Sequence, residues 1–279
     1  MVAITRNASA LEIVRQARLS SAIADGQERI ATGQRLKAPS DAPADWGAAA
    51  RISRTLNQAA AWNFAINSAQ GRAAQADTAL TALNDGITRA RELMVLANGP
   101  SGAGASKDAI LAELSGIRAS FSNILAQSDS DGISVFDGVS AHLVPAGARL
   151  VLPSVAQRSA VETIMTAAGP QSLDAILASA LSAVQIGGGA LASASDAVSA
   201  AQAHVSLEQG RQGLRMQALQ LAKDDISART LDLTTARSAM VDTDIGAEII
   251  RVQTQLTALD AARASFARLG QRTLFDLIG

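Results

Sequence analysis

Both ends of this chain are written as amphipathic helices whose apolar stripes find no partner within their own segment. Near the C-terminus Ile245, Ile249, Val252, Leu256, Leu259, Phe266 and Leu269 recur mostly at three- and four-residue steps, with Glu248, Arg251, Asp260, Arg263 and Arg268 between them. That spacing is a heptad seam. At the N-terminus Leu11, Val14, Leu19, Ile23 and Ile30 give a sparser stripe among Arg15, Arg18, Asp25 and Glu28. Domains ordinarily finish in roughly five loose polar residues. Here the apolar pattern runs on into Leu274, Phe275, Leu277 and Ile278. Two such seams are completed by each other or by neighbouring chains, which predicts a subunit of an assembly.

Composition supports that reading. Aromatic residues make up 3% of the 279 and tyrosine is absent, while Ala and Ser abound. Ala-rich seams suit long helices lying close together better than they suit a core of bulky side chains. A net charge of −1 offers no basic field for nucleic acid or an anionic membrane. With no cysteine there is no disulfide, thiolate metal site or thiol nucleophile. Arg or Glu interrupts the first residues every few positions, so no signal peptide is expected, and no apolar run predicts a membrane span.

Turn signals are few and clustered. Gly33 and the Pro39-Ser40-Asp41-Ala42-Pro43 run end the first helix, and Asp41 or Ser40 is expected to cap the next. A long Pro-free helix is predicted over 44–97, stopped by Asn98-Gly99-Pro100-Ser101-Gly102. A shorter helix over 106–127 should pack back antiparallel through Ile110, Leu111, Leu114, Ile117, Phe121 and Leu125. After Asp129-Ser130-Asp131-Gly132 the period becomes two, and Ile133–Phe136, His142–Val144 and Arg149–Leu152 read as short strands around Asp137-Gly138 and other turns. A short helix over 172–184 leads to Gly187-Gly188-Gly189, read as a flexible joint. A second long helix is expected over 190–239, then a break near Val241-Asp242-Thr243-Asp244. The predicted fold class is all-α: a long antiparallel helical bundle or coiled coil formed by the N- and C-terminal regions, with a small β-hairpin insert. Its expected segments are an N-terminal assembly helix (1–38), the N-terminal part of a helical core (39–130), a hairpin and variable insert (131–189), the C-terminal core helix (190–242) and a C-terminal assembly helix (243–279).

Several stretches, in order, resemble the bacterial flagellin family. They are GQERIATGQRLKAPSDAPADWGAAARI (26–52), TRARELMVLAN (88–98), DSDGISVFDG (129–138), GLRMQAL (213–219) and LTTARSAMVDTDIGAEIIRVQ (233–253). The Pro-Ser-Asp-Ala-Pro turn and the Ser265–Leu277 ending lean toward the related hook-associated protein of the hook–filament junction. Val241 and Ile245 also depart from the flagellin pattern, whereas Asn7–Leu11 and the Arg-Glu-Leu segment resemble flagellin proper. Flagellin is the favoured reading, with the junction protein as the alternative.

The resemblance implies a helical homopolymer of this chain, outside the cell in the flagellum. It also implies hook-associated and cap proteins as neighbours, and passage by an export chaperone through the flagellar type III secretion apparatus. Positions Arg89, Leu93 and Glu113 match flagellin residues that contact host Toll-like receptor 5, or else lie between protofilaments. Arg89 and Leu93, four apart, share a helix face, with Glu113 expected beside them on the antiparallel helix.

No catalytic constellation competes. His142 and His204, the two histidines, are isolated from one another in sequence, and two cannot complete a zinc site alone. The Asp129–Gly132 run lacks the closing glutamate of a calcium loop, and Gly187–Gly189 lacks the Gly-Lys-Ser/Thr of a phosphate loop. Asp224 and Asp225 point about 100° apart on a helix, so they form no carboxylate pair. Asn7-Ala8-Ser9 fits a glycosylation sequon but falls in the terminal assembly segment. The chain is expected to be neither an enzyme nor a cofactor protein. A cytoplasmic coiled-coil scaffold or signalling protein is the rival from another class, and it leaves the flagellin-like stretches and the hairpin unexplained.

Overall fold

The computed structural model describes residues 2–99, 105–128, 132–136 and 143–275, with side chains over 10–99, 106–128, 132–136 and 143–267. The chain divides into two compact units. One is Asn57–Thr230, and the other combines Met1–Leu56 with Leu231–Gly279. In order the elements are α1 (Val2–Thr32), α2 (Pro43–Asn98), α3 (Ala105–Leu125), β1 (Leu143–Pro145), β2 (Val151–Pro153), α4 (Arg158–Glu162), β3 (Thr163–Thr166), β4 (Gly169–Ser172), α5 (Leu173–Ile186), α6 (Gly189–Val241) and α7 (Ile245–Phe275).

Within Asn57–Thr230 the core follows two heptad series. On α2 it is Ala59, Ile66, Ala69, Ala73, Ala76, Leu80, Leu83, Ile87 and Ala90; on α6 it is Leu191, Ala194, Val198, Ala201, Val205, Leu219, Ala222 and Ile226. The helices run antiparallel. Side-chain hydrogen bonds join Gln70 to Gln220, Thr81 to Gln209, Asn84 to Ser206 and Thr88 to Gln202. Alanines occupy many of these buried positions.

Helix α3 packs back on α2 through Ile110, Leu114, Phe121 and Leu125, with Leu111 and Ile117 half-buried beside them. A Cβ placed on Gly86 would lie 2.4 Å from Phe121 Cε1, so glycine admits that ring against α2. Between α3 and α5, Arg118 donates to both Asp174 oxygens at 2.6 and 2.7 Å. The hydrogen bond from Arg118 holds the Asp174 carboxyl below the ordinary aspartate value.

Among the described residues two β-hairpins, rather than one, complete this unit. Strands β1 and β2 pair antiparallel, Val144 opposite Leu152, and Val144 and Ala146 join the core around Ile66 and Leu219. Strands β3 and β4 form the second hairpin, with Ile164 opposite Gln171. Its signal is weak because Pro170 has no N–H and reads against a strand, yet a hairpin edge tolerates it. Helix α4 is equally absent from the sequence pattern. The expected strand over Ile133–Phe136 is instead a loop with an isolated Ser128–Ser134 bridge. Val135 and Phe136 are both buried, whereas neighbours in a strand face opposite ways.

The helix boundaries follow local chemistry. Ser172 Oγ accepts from the Ala175 N–H and caps α5, which ends at Gly187 and Gly188 with φ of 78° and 64°. Asp41 does not cap α2. Its Oδ2 accepts from the N–H groups of Lys37 and Ala38, and these bonds, Ala38 first, lower its carboxyl pKa. The Ala42 carbonyl accepts from Trp46 instead, so the Asp closes its own turn rather than the helix. Pro100–Gly102, Asp129–Asp131, Asp137–Gly138, His142 and residues 276–279 lie outside the described residues.

Candidate assembly surface

The second unit brings the chain ends together. Helices α1 and α7 pack along each other, and Ile23, Val252 and Leu259 are buried between them with Leu19 and Ile30 at the margin. Gly26 sits at the contact, where a Cβ would lie 2.5 Å from Val252 Cγ2. Glycine costs a helix interior roughly 1 kcal/mol, and here it permits the two backbones to approach.

A charged clamp closes the same contact. Glu248 is 4% exposed. Its Oε1 accepts from Arg29 Nε and Nη2 at 3.0 and 2.7 Å, and its Oε2 accepts from Arg251 Nη1 at 2.9 Å. A buried carboxylate is tolerable because both oxygens are paired. Asp244 starts α7 by accepting from the Ala247 N–H at 3.1 Å. The two chain breaks are also stitched together. Arg35 N–H donates to Val241 O, Thr243 N–H donates to Gly33 O, and Arg35 Nη2 donates to Met240 O and Asp45 Oδ2.

The C-terminal seam divides into two flanks. Val252 and Leu259 face α1, while Ile245, Ile249, Leu256 and Phe266 stand 47, 40, 41 and 37% exposed. Ile249 and Leu256 lie roughly 40–80° round the helix from the buried pair at 100° per residue, whereas Ile245 shares the heptad position of Val252 and Leu259 and is exposed at the first turn of α7. Ile250 on α7 and Leu11, Ile13 and Val14 on α1 are exposed as well. The Leu269 side chain, with those of Leu274 and Phe275, lies outside the described residues, as do Leu277 and Ile278 and the side chains of the Asn7–Ser9 sequon. The apolar pattern is therefore wider than the intramolecular contact uses.

Arg89 and Glu113 come together as expected, while Leu93 does not join them at the surface. Arg89 Nε and Nη2 donate to the Glu113 oxygens at 2.5 and 3.1 Å, and Nη1 donates to Glu92 at 2.9 Å. The Arg89 hydrogen bond lowers the Glu113 carboxyl pKa, and Glu113 and Glu92 raise that of Arg89. Leu93 is 2% exposed within the core. Four residues advance a helix by 40°, and the edge of the core falls between the two positions.

Two buried polar residues escape the sequence reading. Glu208 and Gln212 continue the α6 heptad series that is otherwise apolar, and both are buried. Gln212 Nε2 donates to Ala73 O at 3.2 Å and Ser154 O at 2.8 Å, fixing the segment after β2 to α2 and α6. Their position in the heptad series was the available signal. His204 Nε2 donates a hydrogen bond to Ala160 O at 2.7 Å, a structural role. Among the described residues no three His, Cys, Asp or Glu side chains gather as a metal site, and no helix is long and apolar enough to cross a membrane.

No curated protein matches the chain. Among solved structures, it is similar to a Vibrio parahaemolyticus protein assigned as a flagellar hook-associated protein. The TM-score there is 0.64 at 14% identity, covering 72% of this chain and all of the other. It is also similar to Xanthomonas campestris FlgL, with a TM-score of 0.55 at 13% identity, covering 67% of this chain and 99% of the other. These likenesses establish the long-helix fold. The family model of the bacterial flagellin N-terminal helical region matches residues 4–141. Residues 4–141, which hold most of α1, the long helix α2 and α3, are thus a bacterial flagellin N-terminal helical region.

Proposed function

We propose that this chain is a structural subunit that polymerises into the bacterial flagellar filament and so supports swimming motility. The observation that carries this is the exposed flank of α7, Ile249 and Leu256, beside the row of Val252 and Leu259 that α1 already covers. Segments 1–38 and 243–279 are the assembly segments, and copies of this chain are the first partners. Contacts of this heterologous kind, repeated without closing, generate an open helical array. Hook-associated and cap proteins then adjoin the polymer, and export runs through the type III apparatus with its chaperone. Arg89 and Glu113 are the exposed pair at which a receptor or a neighbouring protofilament makes contact.

Placement at the hook–filament junction is a second reading. It is favoured by the likeness to the hook-associated protein and FlgL and by the Pro39-Ser40-Asp41-Ala42-Pro43 turn. Electron microscopy of the tagged protein in its own cells separates the two. Label along the whole filament is the expected result, label confined to the filament base selects the junction role, and label absent from the flagellum overturns both.

A further inference from the structure

Helix α6 carries a second apolar stripe that the subunit leaves uncovered. Leu207, Leu214 and Leu221 are 52, 66 and 63% exposed and recur every seven residues, the spacing of a coiled-coil seam. Between them on the same face stand Gly210 and Ala218, and Ala203 precedes them. A Cβ on Gly210 would meet nothing within 4 Å. A glycine inside a helix is less stable there than alanine, and no packing within the subunit asks for this one. Three evenly spaced leucines separated by small residues are the form of a surface that receives another helix closely.

Charge indicates which helix. Arg211 lies seven residues before Ala218 and Asp225 seven residues after it, both exposed and both on the margin of the leucine stripe. A two-fold axis at Ala218 sets Arg211 of each copy against Asp225 of the other. It also seats each Leu214 in the space bounded by the other copy's Ala218, Leu221 and Asp225. We propose that α6 of a second copy of this chain covers the stripe, antiparallel, about a two-fold axis at Ala218. Such an isologous pair closes on itself, unlike the propagating contacts of the terminal seam. It is thus a separate mode of association of free subunits.

Arg211 and Asp225 already hold partners within the chain, Glu208 and Arg229. Exposed ion pairs exchange at little cost, so the leucines supply most of the affinity and the charges fix direction and register.

The absence of cysteine makes the test direct. In the full chain, Ala218→Cys is compared with Gly213→Cys, an exposed position off the stripe whose Cβ also meets nothing. Under mild oxidation, Ala218→Cys is expected to form a disulfide-linked dimer roughly ten-fold faster or more, because pairing raises the effective concentration of the two thiols. Adding Leu214→Asp and Leu221→Asp is expected to remove that advantage. Equal rates for the two cysteine variants, or an advantage that survives both aspartates, would overturn the pairing. Sedimentation of seeded polymer keeps this separate from the proposed assembly role. Loss of the cross-link with polymer retained overturns the two-fold pair alone. A cross-link present in a chain that never polymerises supports the pair and removes the filament reading.

Discussion

Deletion of residues 245–279 is expected to yield a chain that cannot elongate seeds while Asn57–Thr230 stays folded. The deletion removes Val252 and Leu259 from the pair with Ile23, and it takes away Glu248, the shared partner of Arg29 and Arg251. Holding a helix of this length costs about 1–2 kcal/mol of backbone entropy per residue. Burying one large aliphatic side chain returns about 1.5–3 kcal/mol. The few side chains that α1 and α7 bury in one another therefore leave the pair dependent on further burial, and α1 without its partner has only the marginal stability of a lone helix. Light scattering of seeded solutions reads the loss of elongation. Far-ultraviolet circular dichroism should show helix lost in excess of the deleted residues, since α1 unravels too. Elongation by the truncated chain at the normal rate would remove the seam from the account.

Gly86→Ala and Gly71→Ala are expected to move stability in opposite directions, although both glycines lie inside α2. Alanine is favoured over glycine in a helix by roughly 1 kcal/mol, and at Gly71, where a Cβ meets nothing within 4 Å, that preference acts alone. At Gly86 the new methyl would lie 2.4 Å from Phe121 Cε1 and 2.9 Å from Cζ. Phe121 is 4% exposed and held within the main core, so relief requires moving α3. Overpacking of this kind costs about 1–3 kcal/mol, enough to outweigh the propensity gain. Thermal denaturation should show Gly71→Ala raising Tm by a few degrees and Gly86→Ala lowering it. A rise for both would mean that the α2–α3 contact is looser than the distance implies.

These two glycines also show where the sequence speaks and where it does not. Heptad spacing marks α2, α6 and α7 to within a few residues, because an apolar stripe on a long helix repeats many times and each repeat adds to the signal. The turn chemistry at Gly33 and at Asn98-Gly99 marks helix ends just as well. Short elements carry no such redundancy. Strands β3 and β4 contain four residues each, and one of the eight is Pro170, so tertiary packing around Ile164 and Leu173 decides their form. Phe136 is similar, being fixed by the cavity it fills rather than by alternation.

The apolar face of α7 was legible as a whole and not in its division. Periodicity places Ile245, Ile249, Val252, Leu256 and Leu259 on one broad face, yet which flank meets α1 depends on the partner helix, through Gly26 and Arg29. The same limit applies to Leu93, whose burial is set by the main core around it and not by its distance from Arg89. Glu208 and Gln212 are the reverse case, visible in the heptad count but hidden by the habit of assigning charged and amide residues to the surface.

Leu256→Asp tests the central claim most directly, because Leu256 is 41% exposed in the subunit and lies on the flank left open by α1. The variant chain is expected to match the parent in helix content and melting temperature and to fail to elongate seeds, since burying an unpaired carboxylate at a subunit contact costs several kcal/mol. Elongation at the parent rate by a normally folded Leu256→Asp chain would contradict the account and assign the outer flank of α7 to solvent.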